Sequence, residues 1–293
     1  MKILITGCKG QLGNELQSII KTGSGEIGPV SVPIIGAEVI PVDIDTLDIT
    51  DLSDVMAFVT EKKPDVIINC AAMTNVDGCE SDYQTAFKVN AIGVRNLAMA
   101  AEKVSAKLVH VSTDYVFAGN GSKPYVEWEV INPQSIYGSS KALGEKYAMA
   151  FCSKFFIVRT SWLYGYIGKN FVKTVRRVIR EKGSITVVND QVGNPTNAND
   201  LAYHILKLIN TEEYGIYHCT GNGECSWYEF AKKVAEYSGF PDTVKPCTTA
   251  EYNSPTKRPA YSSLMNLALE CSVGDEMRDW QIALKEYISK VED

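Results

Sequence analysis

The chain has 293 residues, 45% of them hydrophobic and 22% charged, with a formal net charge of -6 at pH 7. That is enough chain for one large domain or two modest ones. The acidic balance, without any Lys/Arg-rich cluster, argues against a nucleic-acid partner.

No run of about 18 apolar residues occurs, so no membrane span is expected. The apolar stretch after Met1 and Lys2 is too short for a signal-peptide core of roughly 7–15 residues, which points to the cytoplasm. The cysteines (Cys8, Cys70, Cys79, Cys152, Cys219, Cys225, Cys247 and Cys271) include no Cys-x-x-Cys pair and read as free thiols in a reducing compartment. The histidines His110, His204 and His218 lack ligand spacing, so no metal is assigned.

In chain order, Lys2–Thr6 reads as a buried parallel strand running into glycines. Leu12, Leu16, Ile19 and Ile20 follow at helical spacing, so a helix begins inside the glycine motif. Residues 22–37 are rich in glycine and proline and read as a loop or insertion. Strands are predicted at Glu38–Val42, Asp65–Cys70, Lys107–Val111 and Phe155–Arg159. Helices are predicted at Leu52–Glu61, Tyr83–Val104 and Ser135–Ala150. This alternation predicts an α/β fold, a Rossmann-type doubly wound parallel sheet over residues 1–160.

Beyond Ser161 the rhythm loosens. Helices are predicted at Phe171–Lys182, Asp200–Ile209, Ser226–Tyr237 and Asp279–Val291, with strands at Ile185–Val188 and Gly215–Cys219. Thr243–Tyr261, rich in proline and threonine, carries Lys257-Arg258-Pro259. Residues 161–293 therefore read as a smaller, mainly substrate-binding region, with some segments returning to the dinucleotide-binding domain.

In open parallel sheets ligands bind beyond the carboxyl ends of the strands. Gly7-x-x-Gly10-x-x-Gly13 sits at the first strand-to-helix turn, where glycine permits a tight turn and close approach of a pyrophosphate to the helix N-terminus. Asp43 ends the second strand, placed to accept hydrogen bonds from an adenosine ribose and to repel a 2′-phosphate. Lys9 opposes that repulsion, so NADH and NADPH both stay open. Asp48 and Ile49 are candidates to flank the adenine. Ala71 and Ala72 offer small side chains at a strand end, suited to a cofactor or to tight packing. Ser112 and Thr113 place hydroxyls at the end of the fourth strand, suited to a substrate oxygen or to a turn cap.

Tyr137 and Lys141 lie four residues apart in a predicted helix, hence on one face. An ammonium about 4 Å from a phenolate, at an effective dielectric near 20, is worth roughly 4 kcal/mol. That would lower a phenol pKa by up to about three units. Tyr137 is thus expected to give a proton to a carbonyl oxygen as hydride reaches carbon.

The glycine motif, Ser112-Thr-Asp-Tyr-Val-Phe117 and Tyr137-x-x-x-Lys141 resemble an extended short-chain dehydrogenase/reductase. Val158-Arg-Thr-Ser-Trp-Leu-Tyr164, Gly168-Lys-Asn-Phe171, Asn189-Asp-Gln-Val-Gly-Asn-Pro-Thr196 and Lys257-Arg-Pro259 narrow the resemblance to the dTDP-4-dehydrorhamnose reductase family, over nearly the whole chain. The resemblance implies NADPH- or NADH-dependent reduction of the 4-keto group of a dTDP-sugar. It implies catalytic roles for Thr113, Tyr137 and Lys141, and cofactor contacts at Gln11, Leu12, Asp43, Asp48, Ile49, Ala71, Ala72 and Met73. Substrate contacts are implied at Thr113, Asp114 and Trp162, the tryptophan offering a flat apolar face. Asn170 and Arg258 are further candidates, for the diphosphate.

Residues 22–37 look longer than the family's usual connection, which leaves the local geometry around Asp43 open. Magnesium at a dimer contact is described for some members; its ligands are not identifiable here, and a homodimer stays open. Thr113-Asp114-Tyr115 lacks the glutamate of a 4,6-dehydratase. An epimerase, another nucleotide-sugar 4-ketoreductase and a non-catalytic subunit like the beta subunit of methionine adenosyltransferase are the competing readings.

Overall fold

The computed structural model describes residues 1–253 and 256–291. The first half alternates as the sequence predicts: β1 (Lys2–Thr6), α1 (Gln11–Thr22), β2 (Glu38–Val42), α2 (Leu52–Lys62) and β3 (Val66–Asn69). Next come α3 (Val76–Ser81), α4 (Tyr83–Phe87), a π-helical segment Lys88–Gly93, α5 (Val94–Val104) and β4 (Lys107–Thr113). Then follow α6 (Ile136–Phe151), β5 (Phe155–Thr160) and β6 (Leu163–Tyr164).

The second half holds α7 (Phe171–Lys182), β7 (Ile185–Val188), β8 (Val192–Gly193), β9 (Thr196–Asn197), α8 (Ala198–Leu208) and β10 (Gly215–His218). It closes with β11 (Cys225–Ser226), α9 (Trp227–Tyr237), β12 (Val244–Cys247), α10 (Thr249–Tyr252), α11 (Leu267–Ser272) and α12 (Trp280–Lys290).

Six strands pair in parallel in the order β10-β5-β4-β3-β1-β2. The two-residue period of a strand sends Ile3 and Ile5 to one face and Leu4 to the other. On the first face they meet Leu12, Leu16 and Ile19 of α1 and Leu201 and Ile205 of α8. On the second they meet Val55 and Val59 of α2 and Val94, Leu97 and Ala101 of α5. Apolar burial on both faces is why these strands read as continuous hydrophobic runs. The chain reverses winding between β1 and β3, so the ends of those strands open a crevice.

A third core lies apart from the sheet. It joins Val172, Val175 and Ile179 of α7, Phe230 and Val234 of α9, and Trp280, Leu284 and Tyr287 of α12 around Tyr164. Late segments nonetheless return to the sheet: β10 extends its edge, and α8 packs beside α1.

One predicted helix, Tyr83–Val104, differs from the sequence reading, whereas residues 22–37 form the expected connection between α1 and β2, packed because Val30 and Ile34 are buried in the first core. Glu26 from this stretch accepts hydrogen bonds from Tyr166 at 2.6 Å and Arg278 at 2.6 Å, tying it to the C-terminal part. The stretch Tyr83–Val104 is interrupted by the π-helical segment, where Asn90 turns fully inward. Part of Thr243–Tyr261 is ordered as β12, parallel to β7, and α10; Ser254 and Pro255 of that stretch lie outside the described residues. Among the described residues, no helix is long and apolar enough to cross a membrane.

Candidate active site

The glycine turn occupies the crevice between β1 and β3. Gly7 has φ +64°, and a Cβ there would stand 2.8 Å from the Ala71 nitrogen. A Cβ on Gly13 would stand 2.5 Å from the Gly7 carbonyl oxygen, so both positions require glycine. Gly10 is less confined and lines the crevice. Among the described residues no side chain caps α1, whose first residues Gln11, Leu12 and Gly13 line the crevice.

Two adjoining cavities, of about 530 and 560 Å³, share Gly7, Gly10, Cys70 and Ala72. The first is walled by Lys9, Asp43, Ile44, Asp48, Ile49, Ala71 and Met73. The second is walled by Gln11, Leu12, Gly13, Thr113, Asp114, Tyr115, Tyr137, Lys141, Trp162, Trp227 and Arg258. An elongated cleft, with a glycine turn and an uncapped helix end between a carboxylate-lined chamber and a phenol-lined one, suits an extended diphosphate ligand.

Buried amides hold the cofactor-side wall. Asn69 Oδ1 accepts from Thr6 Oγ1 at 2.6 Å and from the Ala71 N–H at 3.2 Å. Asn90 accepts from the Met73 N–H at 2.8 Å, and its amide donates to the Met73 carbonyl and to Ser140 Oγ, each at 3.0 Å. Asn90 thereby links the Ala71–Met73 wall to α6. At one end of the first cavity, Asp43 accepts from the Lys9 N–H at 3.1 Å and the Ile44 N–H at 2.9 Å.

The second chamber is built on β4 and α6. Ser135 caps α6 by accepting from the Gly138 N–H at 3.1 Å. A Cβ on Gly144 would lie 2.2 Å from the Asn90 carbonyl oxygen, so α6 approaches the π-helical backbone as closely as glycine allows. This places Tyr137 and Lys141 opposite the end of β4. Thr113 Oγ1 accepts from the Tyr115 N–H at 3.2 Å, and its one proton is within reach of both Asp114, at 2.9 Å, and the Tyr137 phenol oxygen. The Tyr115 and Tyr137 rings meet edge to face, centroids 5.5 Å apart. Lys141 is 3% exposed, and its Nζ donates to the Val111 carbonyl at 2.5 Å.

The electrostatics correct one expectation from the sequence. The Tyr137 phenol is pushed up, not down: burial disfavours its anion, the Thr113 hydrogen bond opposes this, and Asp114 adds to it. Lys141 carries the complementary change, lowered to about 8 by burial against the opposing pull of Glu145. The ammonium is turned to Val111, and desolvation dominates both groups. Burial likewise raises Asp114 to about 6 and Cys70 to about 12, so Cys70 is not a ready thiolate.

Further assignments shift with the geometry. Ser112 does not point its hydroxyl at a ligand; it donates to Glu145 at 2.5 Å. Glu145 is fully buried and receives Arg159 through Nε at 2.9 Å and a second nitrogen at 2.8 Å. Asn170 caps α7 and gives its amide to Gln11 at 3.1 Å and to the Gly165 carbonyl at 2.8 Å, so its side chain is committed inside the protein. Trp162 lines the cleft but does not present two free faces, because Trp227 stacks on it with centroids 3.6 Å apart. Its φ of +47° is strained for so large a residue. Arg258 does border the cleft, bonded to Asp77 at 3.2 Å.

Tyr115, Trp227, Asn90 and the Glu145–Arg159 pair were not singled out from sequence. The Ser226–Glu229 capping box marks the start of α9 at Trp227, but only the fold shows that Trp227 reaches Trp162.

The parallel doubly wound sheet, with a glycine turn opening a dinucleotide-shaped cleft at its switch point, defines an extended short-chain dehydrogenase/reductase. A family model described as the RmlD substrate binding domain matches residues 1–292, and the chain belongs to that family. The spore coat polysaccharide biosynthesis protein SpsK of Bacillus subtilis is 40% identical, over 99% of this chain and 97% of its own. The solved dTDP-4-dehydrorhamnose reductase of Clostridium acetobutylicum is 49% identical, covers 99% of both chains and superposes with a TM-score of 0.92. That of Bacillus anthracis, solved in complex with NADP, is 41% identical with the same coverage and a TM-score of 0.92.

Proposed function

We propose that this protein reduces the 4-keto group of dTDP-4-dehydro-L-rhamnose to give dTDP-L-rhamnose, using NADPH or NADH. The observation that carries the reading is the convergence of Thr113, Tyr137 and Lys141 on one wall of the cleft. Gly7, Gly10 and Gly13, with the N–H groups of Gln11 and Leu12, would hold the cofactor diphosphate. Asp43 would take the adenosine ribose. Asp48, Ile49, Ala71, Ala72 and Met73 would wall the adenosine half. When bound, the reduced nicotinamide supplies the hydride.

In this mechanism the raised pKa of Tyr137 has a use, since reduction needs an acid that is loaded before the reaction begins. The phenol gives its proton to the sugar oxygen, a stronger base once hydride has arrived. Thr113 holds the phenol through its hydroxyl. Lys141, which lines the cleft, spends one of its three N–H donors on Val111 and keeps the others for a ligand, and its charge favours the tyrosinate left behind. Asp114, Trp162 and Arg258 would contact the nucleotide sugar, Arg258 by charge on the diphosphate. Thr113-Asp114-Tyr115 has no glutamate to eliminate water, which favours reduction over dehydration.

The eight cysteines are all unpaired, which supports a reducing compartment, and we place the protein in the cytoplasm. The decisive assay makes the keto sugar enzymatically from dTDP-glucose and follows loss of NADH or NADPH. Turnover with at least one cofactor, and dTDP-L-rhamnose as product, is the expected result. No oxidation of either cofactor would defeat the proposal.

A further inference from the structure

The cavity at the Asp43 end contains a charge arrangement that bears on which nicotinamide cofactor binds. Both oxygens of Asp43 are engaged by main-chain donors, one by the Lys9 N–H at 3.1 Å and one by the Ile44 N–H at 2.9 Å. The residue whose backbone touches the ribose-facing carboxylate is therefore Lys9. Its side chain turns to Asp45, with Nζ 2.5 Å from Oδ2. The two side chains are 66% and 60% exposed, so this pair stands in water at the rim. Among the described residues lining this cavity, Lys9 is the one cation, against Asp43 and Asp48.

We propose that Asp45 sets the cofactor preference by competing, inside the protein, with the 2′-phosphate of NADPH for the Lys9 ammonium. This inference rests on the dinucleotide reading given above. With a 2′-hydroxyl beside Asp43, the ribose bonds the carboxylate and the Lys9–Asp45 pair stays closed. A 2′-phosphate at the same place carries between one and two negative charges near neutral pH. It meets like charge unless Lys9 leaves Asp45 and turns to it. An exposed pair is weakly held, so the exchange is inexpensive, and one cavity accepts both cofactors.

The test is calorimetric titration of the ligand-free protein with adenosine 2′,5′-bisphosphate and with 5′-AMP, which differ only in the 2′-phosphate. Asp45→Asn frees Lys9 and should tighten the bisphosphate about two- to fivefold. Lys9→Gln should weaken the bisphosphate about tenfold or more. Both variants should leave 5′-AMP within about twofold. In the double variant, Asp45→Asn should no longer help, because its effect passes through Lys9. If the gain persists in the Lys9→Gln background, or if 5′-AMP tightens equally, Asp45 acts as a simple repelling charge and the proposal is overturned. Failure of the unaltered protein to bind either ligand would overturn the cofactor-site reading itself, together with the inference built on it.

Discussion

The two ends of the cleft treat charge in opposite ways. At the adenosine end the Lys9 and Asp45 side chains are 66% and 60% exposed and paired with each other. At the other end Lys141 and Asp114 are 3% and 2% exposed, and burial displaces the pKa of both groups toward neutrality. Exposed charges exchange partners at small cost and suit a choice between ligands. Buried charges have fixed partners and displaced pKa values, and suit chemistry. The molecule thus separates selection from reaction along one groove, with the glycine turn between them.

That contrast can be broken at the buried end first. Tyr137→Phe removes the proposed proton donor and should lower turnover by about 100- to 10,000-fold, while 5′-AMP still binds in calorimetry. Near-normal turnover would remove Tyr137 from the mechanism. Arg159→Met leaves the fully buried Glu145 carboxylate without its cation and should destabilise the fold by about 3–5 kcal/mol in urea unfolding. Lys9→Gln, at the exposed end, should leave the unfolding midpoint unchanged. Equal midpoints for both variants would contradict the contrast.

A subtler effect lies in the pH profile. Lys141 is lowered to about 8 in the ligand-free protein. Its ammonium is therefore lost as pH rises through that value, and kcat/KM, which reports groups of the free enzyme, should fall on the alkaline side with a midpoint near 8. The raised phenol of Tyr137 does not contribute to this limb. Lys141→Arg should abolish the limb whatever rate remains, because guanidinium keeps its proton. The smallest effect is expected at the exposed end. Asp43→Ala relieves repulsion of a 2′-phosphate and should shift preference toward NADPH by about two- to fivefold. An unchanged ratio would show that Asp43 does not face the ribose.

What could be read from sequence follows the same division between local and tertiary effects. Strands buried on both faces are continuous apolar runs, so β1, β3, β4 and β5 are visible directly, and the glycine turn is fixed by the local chain. Thr113, Tyr137 and Lys141 stand out because strand end and helix spacing are local properties. The direction of the Tyr137 shift is not local: it depends on burial, which spacing does not encode. Ser112 points to Glu145 because Arg159 sits behind it on the neighbouring strand. Asn170 caps α7 and reaches Gln11, 159 residues away, so its commitment is a property of the fold. Trp227 meets Trp162 from a different element, and a single chain read in order does not pair them.

The central claim is hydride delivery to the sugar carbonyl with Tyr137 as proton donor. It is tested most directly with the cofactor carrying deuterium at one or the other prochiral position of nicotinamide C4. The product sugar is then analysed by mass spectrometry and NMR. The account predicts that one of the two labelled forms places a single deuterium at C4 of dTDP-L-rhamnose, and that Tyr137→Phe, with cofactor bound, transfers almost none. Deuterium at another carbon, oxidation of the cofactor without label at C4, or full transfer in the variant would contradict it.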